Sequence, residues 1–346
     1  MKSENLHGGF SNIAASTRVR YARNLKGTPY LDLTLTQKKE IADKVWNALG
    51  TAPVLQQELE LHPVLANSLE AKAWVEQHLI SPELCAAGGY VILSKDRHIA
   101  IMIGEEDHIR LQVMGTGFCP AECAQTAKRL LSVMESSLTF DYDEKLGYLT
   151  SCPTNLGTGL RVSVMLHLYM LTANREMEDV INAVSRAGFT VRGTGGEGSK
   201  AQGAMYQLSN QLTLGFTDDE ITQKVIDTAT SLIQREKKLR NQVMEKQKIS
   251  LWDQVCRSAG QVKTARKMDS QESTELLSDV LLGLERGILT GIQPETVETV
   301  LMDVMPARLT QLGKNTPEER DIYRARMIRE KIGNHLQINE ETSQEQ

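Results

Sequence analysis

The chain is 346 residues long, 40% apolar and 24% charged, with a formal net charge of −5 at pH 7. That length and apolar content suit two domains, each with its own core, and the acidic balance argues against a broad nucleic-acid surface. No stretch approaches the ~20 apolar residues of a membrane span, and the opening Met-Lys-Ser-Glu-Asn-Leu-His lacks the apolar centre of a secretory signal.

In chain order, Ser16-Thr17-Arg18-Val19-Arg20-Tyr21 alternates, so a strand there puts Arg18 and Arg20 on one face. A second strand is expected from Arg97 to Ile103, with Ile99, Ile101 and Ile103 inward. In a third, Ile109, Leu111 and Val113 alternate with His108, Arg110 and Gln112. Glu105, Glu106 and Asp107 therefore occupy the turn between these two strands. Alone, an acidic triplet is a solvated turn, since charged side chains are mostly exposed. Leu160, Val162, Val164, Leu166 and Leu168 then form one face, opposite Arg161, Ser163, Met165 and His167. Phe189 and Val191 oppose Thr190 and Arg192, and Tyr206, Leu208, Leu212 and Leu214 continue the pattern. Such alternation describes an antiparallel sheet with one open polar face. On that face Arg18, Arg20, Arg110, Arg161 and Arg192 repel one another unless a polyanion lies among them. A nucleoside triphosphate fits, because the planar guanidinium fork matches phosphate oxygens two at a time.

Between the last two strands, Arg192-Gly-Thr-Gly-Gly-Glu-Gly-Ser-Lys200 contains a literal G-x-G-x-x-G at Gly193, Gly195 and Gly198. It also approaches a phosphate-binding P-loop, except that Ser199-Lys200 reverses the order that motif requires. Both motifs need a helix to follow, so that its N-terminus meets the phosphates. Here a strand follows. Both are rejected in favour of a hairpin loop able to carry Glu197 over a bound substrate.

Thr217-x-x-Glu220 is a capping box opening a long helix marked by Ile221, Val225, Leu232, Leu239 and Val243. Its charged second half leads into an all-helical region. Leu276, Leu277, Val280, Leu281 and Leu284 mark one helix there, and Val297, Val300, Leu301 and Val304 another. Thr316-Pro317-Glu318-Glu319 starts the last, and the polar tail after Asn339 is expected to be disordered. The cysteines, at 85, 119, 123, 152 and 256, are an odd set, and Cys119-x3-Cys123 has no partner pair nearby, so no metal site is expected. Free thiols suggest the cytoplasm.

Four segments, STRVR at 16–20, EEDHIR at 105–110, LTSCPTNLGTGLR at 149–161 and RGTGGEG at 192–198, resemble those of the phosphagen kinases, the ATP:guanidino phosphotransferases. Together they are specific, and the likeness covers nearly the whole chain. It is greatest to the bacterial protein-arginine kinases. The helical domain that precedes the catalytic domain in small-molecule guanidino kinases is expected to be missing, since the first motif starts at Ser16. An extra C-terminal region carries Arg320-Asp321-Ile-Tyr-Arg324-Ala325, which is similar to the R-D-x-x-R-A of a phosphoarginine pocket. The resemblance implies an α+β fold. A glutamine-synthetase-like catalytic domain, residues 1–239, would hold an antiparallel sheet with an open polar face flanked by helices, and an all-helical C-terminal domain would span 240–346.

Carried over residue by residue, the resemblance implies that Glu106 is the catalytic base and Glu197 the second substrate carboxylate, with Cys152 helping to orient the substrate. It implies that Arg18, Arg20, Arg110, Arg161 and Arg192 hold the phosphates of ATP and that His78 contacts the nucleotide. Ser16, Thr17, Val19, Val162, Ser163, Val164, Met165, Gly193, Thr194, Gly195 and Gly196 complete the ATP-binding segments. Arg320, Asp321, Arg324 and Ala325 would form the phosphoarginine pocket, two guanidiniums taking the phosphoryl group while Asp321 pairs the guanidino part. Gly104 stands where the family usually has Asn, which is expected to loosen the acidic turn. Lys72 stands where relatives carry Arg six residues before His78, losing a bidentate donor. The implied cofactors are ATP and Mg²⁺, the metal held by phosphates and water rather than by a dedicated cluster.

The implied activity is ATP-dependent phosphorylation of arginine side chains in proteins, marking them for degradation by a bacterial cytoplasmic Clp-type protease complex. Implied partners are protein substrates with exposed arginines, a second copy of the chain as a homodimer, and a small zinc-binding activator protein, with no direct nucleic-acid or membrane contact. A free-arginine kinase and a weakly catalytic phosphoarginine-binding adaptor are the alternatives.

Overall fold

The computed structural model describes Leu6, Gly8 and residues 13–193 and 201–339. Its strands are β1 Ala14–Arg23, β2 Leu59–Val64, β3 Gly89–Ser94, β4 Ile99–Ile103, β5 Ile109–Thr116, β6 Tyr142–Asp143, β7 Gly147–Tyr148, β8 Leu160–His167, β9 Phe189–Gly193, β10 Met205–Asn210, β11 Leu289–Thr290 and β12 Gln337–Ile338. The helices are α1 Leu35–Leu49, α2 Pro53–Gln56, α3 Leu69–Glu76, α4 Pro82–Ala87, α5 Pro120–Glu135, α6 Tyr169–Ala173, α7 Met177–Arg186, α8 Asp218–Lys246, α9 Lys248–Thr264, α10 Ser270–Glu285, α11 Pro294–Asp303, α12 Pro306–Gln311 and α13 Pro317–Ile328.

The main sheet runs β2-β3-β4-β5-β1-β8-β10-β9, with antiparallel neighbours throughout. The two-residue period sorts its side chains. Val19, Tyr21, Leu111, Val113, Leu160, Val162, Val164 and Leu208 are buried at the back, in one core with Ile41, Val45, Leu130 and Ile233 from the helices behind. The front face carries the polar set, and the register brings it together: Arg20 lies opposite both Gln112 and Arg161, and Gln207 lies opposite Arg192. At one end α3 and α4 cover that face, packing Trp74, Leu79 and Leu84 on Val91, Leu93, Ala100 and Met102. The open polar face is thus confined to the middle of the sheet.

The capping boxes at Thr217 and Thr316 form as the sequence indicates. The first opens α8, a single 29-residue helix that crosses residue 240 without a break. Its Ile221, Val225 and Ile233 belong to the core behind the sheet, whereas Leu239 packs against that core and the helical one. The second core gathers Leu251, Val255, Leu277, Val280, Val297, Val300 and Ile328. Where it meets the sheet, Arg240 is fully buried and donates to Glu236 at 2.7 Å and to the carbonyl of His167 at 2.8 Å. Among the described residues no helix is long and apolar enough to cross a membrane.

Three expectations change. The second strand starts at Ile99, because Arg97 turns the chain at φ 62°. β10 stops at Asn210, whose side chain accepts from Val162 N at 2.8 Å and donates to Leu160 O and Leu212 O. That side chain takes the place of the next backbone partner, leaving Leu212 and Leu214 exposed rather than on a strand face. His167, expected on the open face, is buried beneath α10, where its Nε2 meets the Ser278 hydroxyl at 2.8 Å.

Candidate active site

A cleft of about 800 Å³ opens on the uncovered middle of the sheet. Arg18, Arg20, Arg110, Arg161 and Arg192 all line it, from strands β1, β5, β8 and β9. Polar neighbours fix several of them. Arg161 donates to the Ser209 hydroxyl at 3.1 Å, while Gln207 donates to Ser163 at 3.0 Å. Arg18 Nε is buried with no hydrogen-bond partner. The electrostatics match that geometry. Desolvation, then the charges of Arg161 and Arg110, lower Arg18 to a pKa of about 10. Burial and the neighbouring arginines push Arg20 down strongly, and burial, Arg192 and Arg110 lower Arg161. A cluster of cations that depress one another is poised to accept an anion.

At the rim the acidic turn faces Arg110. Glu105 accepts from Arg110 Nη1 at 2.5 Å and Glu106 from Nη2 at 2.9 Å. The two carboxylates differ in access: Glu105 is 1% exposed and Glu106 42%. Glu105 therefore anchors the guanidinium, and Glu106 is free to meet a ligand.

The third acid has another task. Asp107 is buried and accepts from Asn24 Nδ2 at 2.9 Å, Ser151 N at 2.7 Å and Asn155 Nδ2 at 3.4 Å. It ties the turn to the end of β1 and to the loop that bears Cys152. His108 beside it accepts from Leu25 N at Nδ1, so Nε2 carries the proton and donates to Pro29 O at 2.6 Å. Burial holds its pKa below the ordinary value. Cys152 is half-buried, with its Sγ 3.0 Å from the Thr154 hydroxyl.

Gly104 does not behave as a loosened Asn. Its φ is +76°, and a Cβ there would lie 2.5 Å from Lys38. Lys38 is buried, donates to Gly88 O at 2.8 Å, and fills the space a side chain at 104 would take. The glycine and the lysine fit as a pair.

His78 lines the opposite wall at φ +58°, with its carbonyl held by Gln112 Nε2 at 2.7 Å. Desolvation and the charge of Arg18 lower its pKa below the ordinary value, although the residue stays open to the cleft. Lys72 sits exposed on α3 and is not part of the lining. Ser163 and Met165 face the front of β8, and Ser16, near the start of β1, lies opposite Met165. Thr17, Val19, Val162 and Val164 point into the back core, because a contiguous strand cannot turn every side chain to one face. Gly193 closes β9, while Thr194, Gly195, Gly196 and Glu197 lie outside the described residues. Sequence reasoning missed Asp107, Asn24, Gln112 and Gln207, whose roles depend on cross-strand register and on loops distant in the chain.

In α13, the Arg324 guanidinium is 1% exposed and turned inward, donating to Val304 O at 3.0 Å, Met268 O at 2.9 Å and Asp321 at 2.7 Å. Arg320 is half-exposed and donates to Asn315 O at 2.8 Å. The two guanidiniums are therefore not presented side by side as their spacing suggests. A second hollow of about 640 Å³, where Arg23 stacks 3.5 Å over Tyr148, includes none of the five cleft arginines.

Residues 40–239 match the family profile described as "ATP:guanido phosphotransferase, C-terminal catalytic domain", and residues 248–345 match "Protein-arginine kinase McsB C-terminal domain". The chain is 39% identical over 332 residues to the protein-arginine kinase of Clostridium novyi (strain NT), covering 94% of this chain and 96% of that one. It is 40% identical over 339 residues to that of Brevibacillus brevis (strain 47), covering 96% and 94%. Among solved structures, a lombricine kinase crystal structure is similar with a TM-score of 0.58 at 25% identity, covering 70% of this chain and 71% of the other.

Proposed function

The chain belongs to the ATP:guanido phosphotransferase family, and from that premise we propose that it transfers the γ-phosphoryl group of ATP to arginine side chains of proteins. The observation that carries this reading is the gathering of five arginines around one cleft, with the accessible carboxylate of Glu106 at its rim.

An arginine acceptor is a poor nucleophile. Its pKa of about 13.8 means that deprotonation at neutral pH costs roughly 9 kcal/mol in bulk water. Glu106 can exchange Arg110 for the incoming guanidinium, because Glu105 keeps Arg110 paired. The substrate nitrogen then loses a proton to Glu106, the N–P bond forms, and the bond from the γ-phosphorus to the bridging oxygen breaks to release ADP. A positioned base is worth about 10²–10⁴ in rate. Alignment contributes more, with effective molarities reaching ~10⁵–10⁸ M. In our reading Glu197 is the second carboxylate holding the acceptor in line, and Cys152 helps orient it. The arginines neutralise the charge spread over the transferring group. Mg²⁺, if bound together with the nucleotide, would supply further charge neutralisation.

The same reading assigns the catalytic role to residues 1–239 and a regulatory one to 240–346. Arg320 becomes the accessible phosphate donor of a phosphoarginine pocket, and Arg324 holds Asp321 in place. It extends to marking cytoplasmic proteins for a Clp-type protease, in a homodimer served by a zinc-binding activator. Incubation with ATP and an unfolded protein should yield acid-labile phosphate on arginine. Labelling of free arginine instead would identify a small-guanidino kinase, and phosphoarginine binding without transfer would identify an adaptor.

A further inference from the structure

α12 begins without a cap of its own. Met305 at its N-cap position makes no side-chain hydrogen bond, and Pro306 at the first position has no N–H to donate. The next two backbone N–H groups are taken by a carboxylate 231 residues away in sequence. Ala307 N donates to Glu76 Oε1 at 2.7 Å, and Arg308 N donates to Oε2 at 3.0 Å. Glu76 closes α3, where a negative charge is locally unfavourable beside the helix's own carbonyl end. Its bidentate capping of α12 offsets that, and it joins the helical region to the wall of the cleft.

The wall at that point is strained. Two residues beyond Glu76, His78 takes φ +58°, a left-handed conformation that a histidine adopts at some cost. It is held between the end of α3, through His78 N to Val75 O at 2.9 Å, and the sheet floor, through Gln112 to its carbonyl. On the other side of the cap, Val304, two residues before Pro306, accepts from buried Arg324. A continuous set of bonds therefore runs from α13 through α12 and Glu76 to His78 beside Arg18.

We infer that Glu76 is a positioning residue for the nucleotide site, through which the helical region sets the affinity of the cleft for ATP. Glu76 is not in the lining of the cleft and takes no part in the chemistry. Releasing α12 lets the end of α3 and His78 relax away from the productive conformation. That weakens nucleotide binding and leaves the transfer step unchanged at saturation.

The inference rests on the reading that this cleft holds ATP. The test uses the full chain, with ATP binding by calorimetry and steady-state transfer to an arginine-bearing protein. Glu76→Ala should raise both Kd and KM for ATP by about 2- to 30-fold, the range of a lost helix cap, with kcat at saturating ATP within about twofold. Ala307→Pro, which removes one of the two donors, should raise them by less. Adding it to Glu76→Ala should have no further effect, because both act on one contact. If Glu76→Ala does not fold, Glu76→Gln is judged by the same split between KM and kcat. Wild-type affinity in the folded Glu76 variant, or a loss in kcat with KM unchanged, overturns the inference while leaving the functional reading intact. A wild-type chain that does not bind ATP overturns both.

Discussion

Two groups of enclosed arginines in this molecule have opposite surroundings. Beneath α10, Arg240 is wholly buried yet meets Glu236 at 2.7 Å, Glu285 at 3.4 Å and the His167 carbonyl at 2.8 Å. In the cleft, Arg18, Arg20 and Arg161 are depressed by desolvation and by one another, and the carboxylates at hand, Glu105 and Glu106, pair with Arg110. The first arrangement is complete in the folded chain and joins two cores. Among the described residues the second carries a surplus of positive charge that a bound polyanion would relieve. A buried cation supports the fold when its partners are built in, and serves a ligand when they are not.

Substitutions at Glu106 and at Arg240 should separate this contrast most widely. Glu106→Gln keeps shape and hydrogen bonding but cannot take a proton. It should lower kcat by at least ~10²-fold while leaving ATP affinity within a few-fold and the melting temperature unchanged. Retention of more than about a tenth of wild-type turnover would remove Glu106 as the base. At the junction the expected loss is one of stability. Arg240→Met leaves Glu236 buried without its cation, while Glu285 keeps Arg286, and should destabilise the chain by about 3–5 kcal/mol in denaturant unfolding. A change below 1 kcal/mol would show that the junction is not held by this charge set.

The α13 motif repeats the contrast on a small scale, with Arg324 turned inward and Arg320 outward. Arg320→Ala should weaken phosphoarginine binding about 10- to 150-fold, the loss of one charge-assisted contact, while transfer to a protein acceptor stays near normal. Equal calorimetric affinity for free phosphoarginine in variant and wild type would leave this face of α13 a solvated surface.

A more gradual effect is expected in the pH dependence of stability. Burial and Arg240 hold His167 well below its ordinary value, and burial lowers His108. Below about pH 6.5 the unfolded chain therefore binds more protons than the folded one, so stability falls as the pH drops. Each such histidine costs up to ~1.4 kcal/mol per unit of pH until its folded value is reached. Melting temperatures measured from pH 7.5 down to 5 should decline, and His167→Gln should flatten the slope. An unchanged slope in that variant would mean that His167 is not the group responsible.

The arginine face was legible because a strand's period is local: Arg18, Arg20, Arg161 and Arg192 each alternate with residues that need burial, and the core supplied no alternative. The acidic turn was legible for the same reason. The division of labour within that turn was not. Asp107 acts on Asn24, Ser151 and Asn155, three segments that only the folded chain brings together. The i,i+4 spacing of Arg320 and Arg324 places them on one side of α13, but Val304 and Met268 pack against only the second. Gly104 read as a departure until Lys38 was seen to fill the space beside it, and the reach of Glu76 to α12 has no local signal at all.

Whether the cleft is built to receive a polyanion is tested most directly by Arg20→Met, with unfolding measured with and without ATP. Wild type should gain about 2.7 kcal/mol at an ATP concentration 100 times its Kd. Arg20→Met should be more stable than wild type without nucleotide, by about 1 kcal/mol, since a repelling charge is replaced by an apolar chain of similar length. It should also lose the gain from ATP. A variant that is less stable than wild type without nucleotide and still gains the full increment from ATP would contradict the account.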